Sequence, residues 1–106
     1  MYETLKPLNI TLTSSVGSGT TGAGSWALIS RYRGQKNYHF YNPASLTVSF
    51  SGQVAIQASN TLSNWINVGS VEGTGMFVSS DYYYYTRVNV ESLMNGSVEV
   101  ILAAVP

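Results

Sequence analysis

A chain of 106 residues, 44% hydrophobic, only 9% charged and with a formal net charge of +0, has enough apolar content for one buried core and no room for a second domain. Charged residues make up about 25% of an ordinary soluble domain; here Ser, Thr, Asn and Gln take their place, giving a neutral, hydrogen-bonding surface that loses its water at low cost. Two Lys and three Arg, scattered along the chain, form no basic patch, so no nucleic-acid partner is expected, and the lack of cysteine excludes disulfides, thiolate metal sites and thiol chemistry.

The first residues, Met1 to Pro7, carry neither the basic nor the apolar segment of a cleaved signal. No stretch approaches the ~20 apolar residues of a membrane span, so neither export nor a membrane partner is expected. From there the chain alternates β-branched or aromatic runs with Gly, Ser and Asn turns about every ten residues. The predicted strands cover roughly 8–14, 25–32, 38–41, 45–51, 53–59, 65–71, 75–80, 83–90 and 97–104. This pattern predicts an all-β fold: a single antiparallel β-sandwich or jelly roll of about eight or nine short strands over residues 1–106.

In chain order, Asn9-Ile10-Thr11 matches a glycosylation sequon, as does Asn95-Gly96-Ser97; without a signal both read as strand and turn residues. Residues 15–24 read as a flexible Gly/Ser/Thr loop. Within it Gly17-Ser18-Gly19-Thr20-Thr21-Gly22 spells the dinucleotide fingerprint, but that chemistry needs a helix N-terminus next, and Ser25-Trp26-Ala27-Leu28-Ile29 reads as a strand. His39, between Tyr38 and Phe40, reads as a hydrogen-bonded packing residue, since a zinc site needs three or four ligands. Leu46, Val48 and Phe50 alternate with hydroxyls and are expected to face the core. Ser51-Gly52-Gln53 should then turn the chain into Val54-Ala55-Ile56, closing a hairpin. Trp65, at the head of its strand, is expected in the core.

Asp81-Tyr82-Tyr83-Tyr84-Tyr85 puts two rings on each face of a strand. Tyr84, Thr86, Val88 and Val90 are read as the core face, with Tyr83, Tyr85, Arg87 and Asn89 opposite. The rings suit a sugar-stacking platform, helped by Trp26 or Trp65, or a protein interface, where tyrosine is enriched; the interface reading is preferred. The last strand, Val98 to Val105, is apolar on both faces past Glu99, which marks a central strand or, the preferred reading, a face that meets another subunit. It is expected to pair with 83–90 as a hairpin that sets Arg87 opposite Glu99. Tyr83, Tyr85, Ile101 and Ala103 then form one candidate interface patch. One His, one Asp, four dispersed Glu and no G-x-S-x-G elbow leave no catalytic set, so no enzyme, cofactor or metal is expected.

The run Val54-Ala55-Ile56-Gln57-Ala58-Ser59-Asn60-Thr61-Leu62-Ser63-Asn64-Trp65-Ile66-Asn67-Val68-Gly69, followed by Glu72-Gly73-Thr74-Gly75, Tyr84-Tyr85-Thr86-Arg87-Val88-Asn89-Val90 and Asn95-Gly96-Ser97-Val98-Glu99-Val100, resembles β-sandwich domains of tailed-bacteriophage virion proteins. The resemblance covers roughly residues 45–104. Its Ser-Asn…Asn-Trp pattern is shared with discoidin-like, galactose-binding-type sandwiches, although Thr61-Leu62-Ser63 here lacks the Asp-Gly that many of those carry. It implies a non-enzymatic virion structural protein, assembled in the bacterial cytoplasm: a capsid decoration (cement) protein that forms a homo-oligomer, a trimer, and binds the phage major capsid protein. A small tail or baseplate component is the nearest variant. A carbohydrate-binding module stays open as the competing class, and an Ig-like adhesin domain as a third.

Overall fold

The computed structural model describes residues 7–17 and 19–106. Nine strands form two antiparallel sheets, with no helix among the described residues. They are β1 (Leu8–Val16), β2 (Gly22–Ala23), β3 (Ala27–Leu28), β4 (Lys36–Tyr41), β5 (Ser51–Ser59), β6 (Ile66–Val71), β7 (Gly75–Ser79), β8 (Tyr85–Asn95) and β9 (Val98–Ala104). The first sheet runs β1-β9-β4-β7. The second runs β2-β8-β5-β6, with β3 also paired to β8.

The core follows from period-two patterning. Tyr38 and Phe40 of β4 and Val98, Val100 and Leu102 of β9 point inward from the first sheet. From the second, Val54, Ile56 and Ala58 of β5 and Thr86, Val88 and Val90 of β8 point back at them, and all of these are buried. The all-β sandwich, and the inward faces expected for these three sequence stretches from Thr86, Val54 and Val98 onward, are therefore as predicted.

The pairing of strands departs from expectation. β8 and β9 are consecutive, but the turn at Gly96-Ser97 carries the chain from the second sheet to the first, so they form no hairpin. Gly96 supplies the positive φ of that turn, +80°. Arg87 stands opposite Gln57 of β5, and Glu99 opposite Tyr41 of β4. Val88 and Val98 do share the core, but they approach it from opposite sides. A shared core face is compatible with strands that face one another as well as with strands that pair.

The expected hairpin around Gly52 is likewise absent. Residues 46–49 form no strand, and Leu46 and Val48 are 81% and 60% exposed. Only Phe50 of that trio is buried. Gly52 lies inside β5, next to a register shift, where the β8 backbone passes so close that a Cβ would collide with the Ser92 carbonyl oxygen and lie 3.0 Å from the Leu93 Cα. The glycine serves a close approach of two backbones and not a turn.

β9 is central in its sheet, flanked by β1 and β4, but its outer face is not buried: Ile101 is half-buried and Ala103 exposed. The segment 15–24 is not one loop: β1 extends to Val16, Gly22 and Ala23 pair with Val90 and Asn89, and the Gly19 amide donates to the Leu93 carbonyl at 2.8 Å. Ser18 lies outside the described residues, as do Met1 to Lys6, on which the reading of the N-terminus rests. After the glycines the chain enters β2 and β3 and supplies no helix N-terminus. Only Ala27 and Leu28 of the predicted 25–32 form a strand.

A polar seam joins the sheets through this core. Thr86 Oγ1 donates its single proton to the Gln57 carbonyl at 2.9 Å, so it accepts from the Tyr38 hydroxyl at 2.7 Å; Tyr38, its proton spent, accepts from the Tyr83 hydroxyl at 3.0 Å. Burial, and after it the neighbouring Tyr83 hydroxyl, push ionisation of Tyr38 well above its ordinary value of 10.0.

Two outcomes follow from this packing. Gly52→Ala should cost about 1–3 kcal/mol in urea unfolding, because the β8 backbone must move, while Gly17→Ala, with open space around its Cβ position, should stay within about 0.5 kcal/mol. Tyr38→Phe removes the hydroxyl that bridges Tyr83 and Thr86, leaving Thr86 only the Gln57 carbonyl and Tyr83 only Ser79 Oγ at 3.4 Å, and should cost about 1–3 kcal/mol near neutral pH. Tyr38 holds its proton in the folded state and releases it above pH 10 only when unfolded. Its contribution is therefore complete below pH 10 and is lost as pH climbs above that value. Urea midpoints taken from neutral to strongly alkaline pH should fall less steeply for Tyr38→Phe than for the wild type; parallel curves would contradict the seam.

Candidate binding surface

The segment joining β7 to β8 is tied down at several points. The Lys36 ammonium, buried at the start of β4, donates to the Asp81 carbonyl at 2.7 Å and lies 5.5 Å from the centre of the Tyr83 ring. Burial holds this ammonium below the ordinary lysine range, and the Asp81 carboxylate opposes that shift. The Asp81 amide donates to Ser79 Oγ at 3.3 Å, and Ser79 Oγ also lies 3.4 Å from the Tyr83 hydroxyl. The Tyr84 amide donates to Asn60 Oδ1 at 3.0 Å, while its carbonyl accepts the Ile29 amide at 2.7 Å.

These ties decide where the four tyrosines go. Tyr83 turns into the core, whereas Tyr82 and Tyr84 are 50% and 47% exposed and Tyr85 is half-buried on the outer face of the second sheet. Since β8 begins only at Tyr85, strand alternation does not govern the residues before it. The expected faces of Tyr83 and Tyr84 are therefore exchanged.

An aromatic strip results. Trp26, 53% exposed, meets Tyr85 edge to face at 5.3 Å. Tyr85 meets Tyr84 at 6.3 Å, and Tyr84 meets Tyr82 at 6.2 Å. Such contacts orient exposed rings and add about 0.5–1.5 kcal/mol beyond their buried area. Leu28, also half exposed, is in register with Tyr85, and the Arg33 guanidinium sits 5.6 Å from the centre of the Tyr82 ring.

Across the same sheet face, Arg87 donates to Gln57 Oε1 at 2.7 Å and its guanidinium lies 4.2 Å from the centre of the Trp65 ring. Gln57 Nε2 donates on to Asn67 at 2.9 Å. Trp65 is thus half-buried under an arginine and not a core residue. Its indole N–H needs an acceptor, and the Leu62 carbonyl offers one at the surface at 3.2 Å.

The patch expected from Tyr83, Tyr85, Ile101 and Ala103 is not formed. Tyr83 is in the core, Tyr85 lies on the outer face of the second sheet, and Ile101 and Ala103 lie on the outer face of the first. With β8 and β9 in opposing sheets, their outer faces point in opposite directions. His39 shares the outer face of the first sheet with Ile101, exposed and with its ring 5.2 Å from that of Tyr41, so it is not the hydrogen-bonded packing residue expected. Sequence reasoning named Trp26 and the tyrosine run but missed Leu28 and Arg33. The alternation of Trp26 and Leu28 about the small Ala27 was the available signal.

Beside the strip, loop 59–65 and segment 81–83 enclose a cleft of 340 Å³. The loop is braced by its own hydroxyls. Ser59 Oγ accepts from the Thr61 and Leu62 amides at 3.1 and 3.0 Å, and Thr61 Oγ1 accepts from the Ser63 and Asn64 amides at 3.2 and 3.3 Å.

No model of a protein family and no curated protein matches the chain. Among solved structures, the crystal structure of SPBc2 prophage-derived protein YomS superposes with a TM-score of 0.71 at 11% sequence identity, over 100% of this chain and 99% of that one. At that identity the likeness is one of fold, and it extends from end to end of both chains.

Proposed function

We propose that this chain is a non-enzymatic structural protein of a bacteriophage particle, a capsid decoration protein that assembles as a trimer and docks on the major capsid protein. The observation that carries the reading is the end-to-end fold match to a prophage-derived protein of the same extent. It joins the resemblance over residues 45–104 to virion sandwiches. The aromatic strip supplies a means of docking: aromatic residues anchor protein interfaces because a ring buries much area at little entropic cost, and Trp26 and Leu28 stand half exposed. A surface of hydroxyls and amides around them can be buried against a partner without stranding ions.

The test is cosedimentation of the purified chain with separated heads and tails of the phage, together with analytical ultracentrifugation of the chain alone. Saturable binding to heads and a trimer mass are expected, with the double variant Trp26→Ser, Leu28→Ser weakening head binding by at least about tenfold. A chain that stays monomeric and binds no head overturns the reading, and binding to tails alone replaces it with the tail or baseplate variant.

A further inference from the structure

The cleft between loop 59–65 and segment 81–83 combines two kinds of surface in one concavity. Ile66 and Val68 form apolar floor, Ile66 being 63% exposed, and the half-exposed Tyr82 ring stands beside them. Polar residues line it from both sides: Asn60 and Asn64 from the loop, and Asp81 from the facing segment. Several of these groups retain hydrogen-bonding capacity. Asn60 uses its Oδ1 on the Tyr84 amide, which leaves its NH₂ group, and Asp81 makes its hydrogen bonds to Lys36 and Ser79 through its main chain, so that its carboxylate, although in the field of the Lys36 ammonium, keeps its oxygens free to accept hydrogen bonds.

The chemistry narrows the ligand. No Lys or Arg lines the cleft and Asp81 does, so the site offers a phosphate or carboxylate ligand no cationic donor. A purely apolar ligand would strand the Asn64 amide and the Asp81 carboxylate without partners. A neutral sugar ring satisfies both halves, because it has an apolar C–H face for a ring and aliphatic floor and vicinal hydroxyls that donate to a carboxylate and accept from amides. The volume lies within the range of small-ligand sites, roughly 300–1,000 Å³. The cleft is also pre-formed, since both walls are braced by hydrogen bonds that a ligand need not supply.

We propose that this cleft binds a neutral saccharide unit, stacked on Tyr82, Ile66 and Val68 and held through its hydroxyls by Asn60, Asn64 and Asp81. The site borders the aromatic strip and shares Tyr82 with it, but the proposal does not rest on the particle-docking role.

Amide-resolved NMR of the ¹⁵N-labelled full chain tests this without any phage particle. The probes are maltose, N,N′-diacetylchitobiose and methyl galactoside, with glucose 6-phosphate as the anionic comparison and the peptide acetyl-Leu-Lys-Leu-amide as the protein-like one. At least one neutral sugar should shift the Asn60, Asn64, Asp81 and Tyr82 amides saturably, and glucose 6-phosphate should shift them less. Tyr82→Ala and Asp81→Asn should each weaken the sugar on the order of tenfold. Both should keep the wild-type fold, because Tyr82 is half exposed and the Asp81 carbonyl that Lys36 grips is unchanged, with sugar-free shifts confined to the neighbours each side chain touches, Tyr84 and Arg33 for Tyr82→Ala and Lys36 for Asp81→Asn. No shift from any neutral sugar, shifts confined to another face, or a response to the peptide alone each overturns the proposal.

Discussion

The Tyr38 hydroxyl is where the two sheets of this sandwich are joined by polar chemistry, and the placement of the surface aromatics depends on it. In a core otherwise built from Val, Ile, Leu and Phe, this oxygen meets Thr86 at 2.7 Å and Tyr83 at 3.0 Å. A buried hydroxyl without partners is costly, so Tyr83 cannot swing out to the surface without breaking the set. With Tyr83 held inward and the main chain gripped by Lys36, Asn60 and Ile29, Tyr82 and Tyr84 are left pointing outward. The external strip is the consequence of an internal bond.

That strip is ordered without ion pairs of its own. Each ring leans on the next, and the arginines beside it act through ring faces: Arg33 on Tyr82 and Arg87 on Trp65. At exposed sites such cation–π contacts contribute about 0.5–1 kcal/mol each, enough to bias a side chain's orientation and too little to hold a fold. The fold rests on the core and the seam, which leaves the strip free to be covered by something else. A chain with so few charges has little else on its surface to hold rings in place. The aromatic and amide groups therefore carry both local order and whatever recognition this face performs.

The cleft and the strip come from parts of the chain distant in sequence. Asn60 and Asn64 belong to the loop after β5, while Asp81 and Tyr82 belong to the link between the first sheet's β7 and the second sheet's β8. Because this link passes between sheets at the same end of the sandwich where β5 terminates, the two segments come together. The Asn60–Tyr84 hydrogen bond then fixes the distance between them.

The residues of this chain by themselves determine an all-β sandwich, since Val54/Ile56, Thr86/Val88/Val90 and Val98/Val100/Leu102 recur at period two and give each strand an inward face to bury. The residue inventory likewise offers no constellation of the kinds that carry hydrolysis or nucleotide binding. What alternation cannot specify is which strand lies beside which. Val88 and Val98 satisfy the same core condition as neighbours in one sheet or as partners across two, and the tertiary structure chose the second through the turn at Gly96. Nor does alternation reach beyond the ends of strands, where Leu46 and Val48 lie exposed and where Tyr83 and Tyr84 exchange faces. In the tyrosine run the side chains follow long-range hydrogen bonds from residues 81–84 to Tyr38, Lys36 and Asn60. Those partners are 24 to 45 residues away in the chain, and no local pattern encodes them.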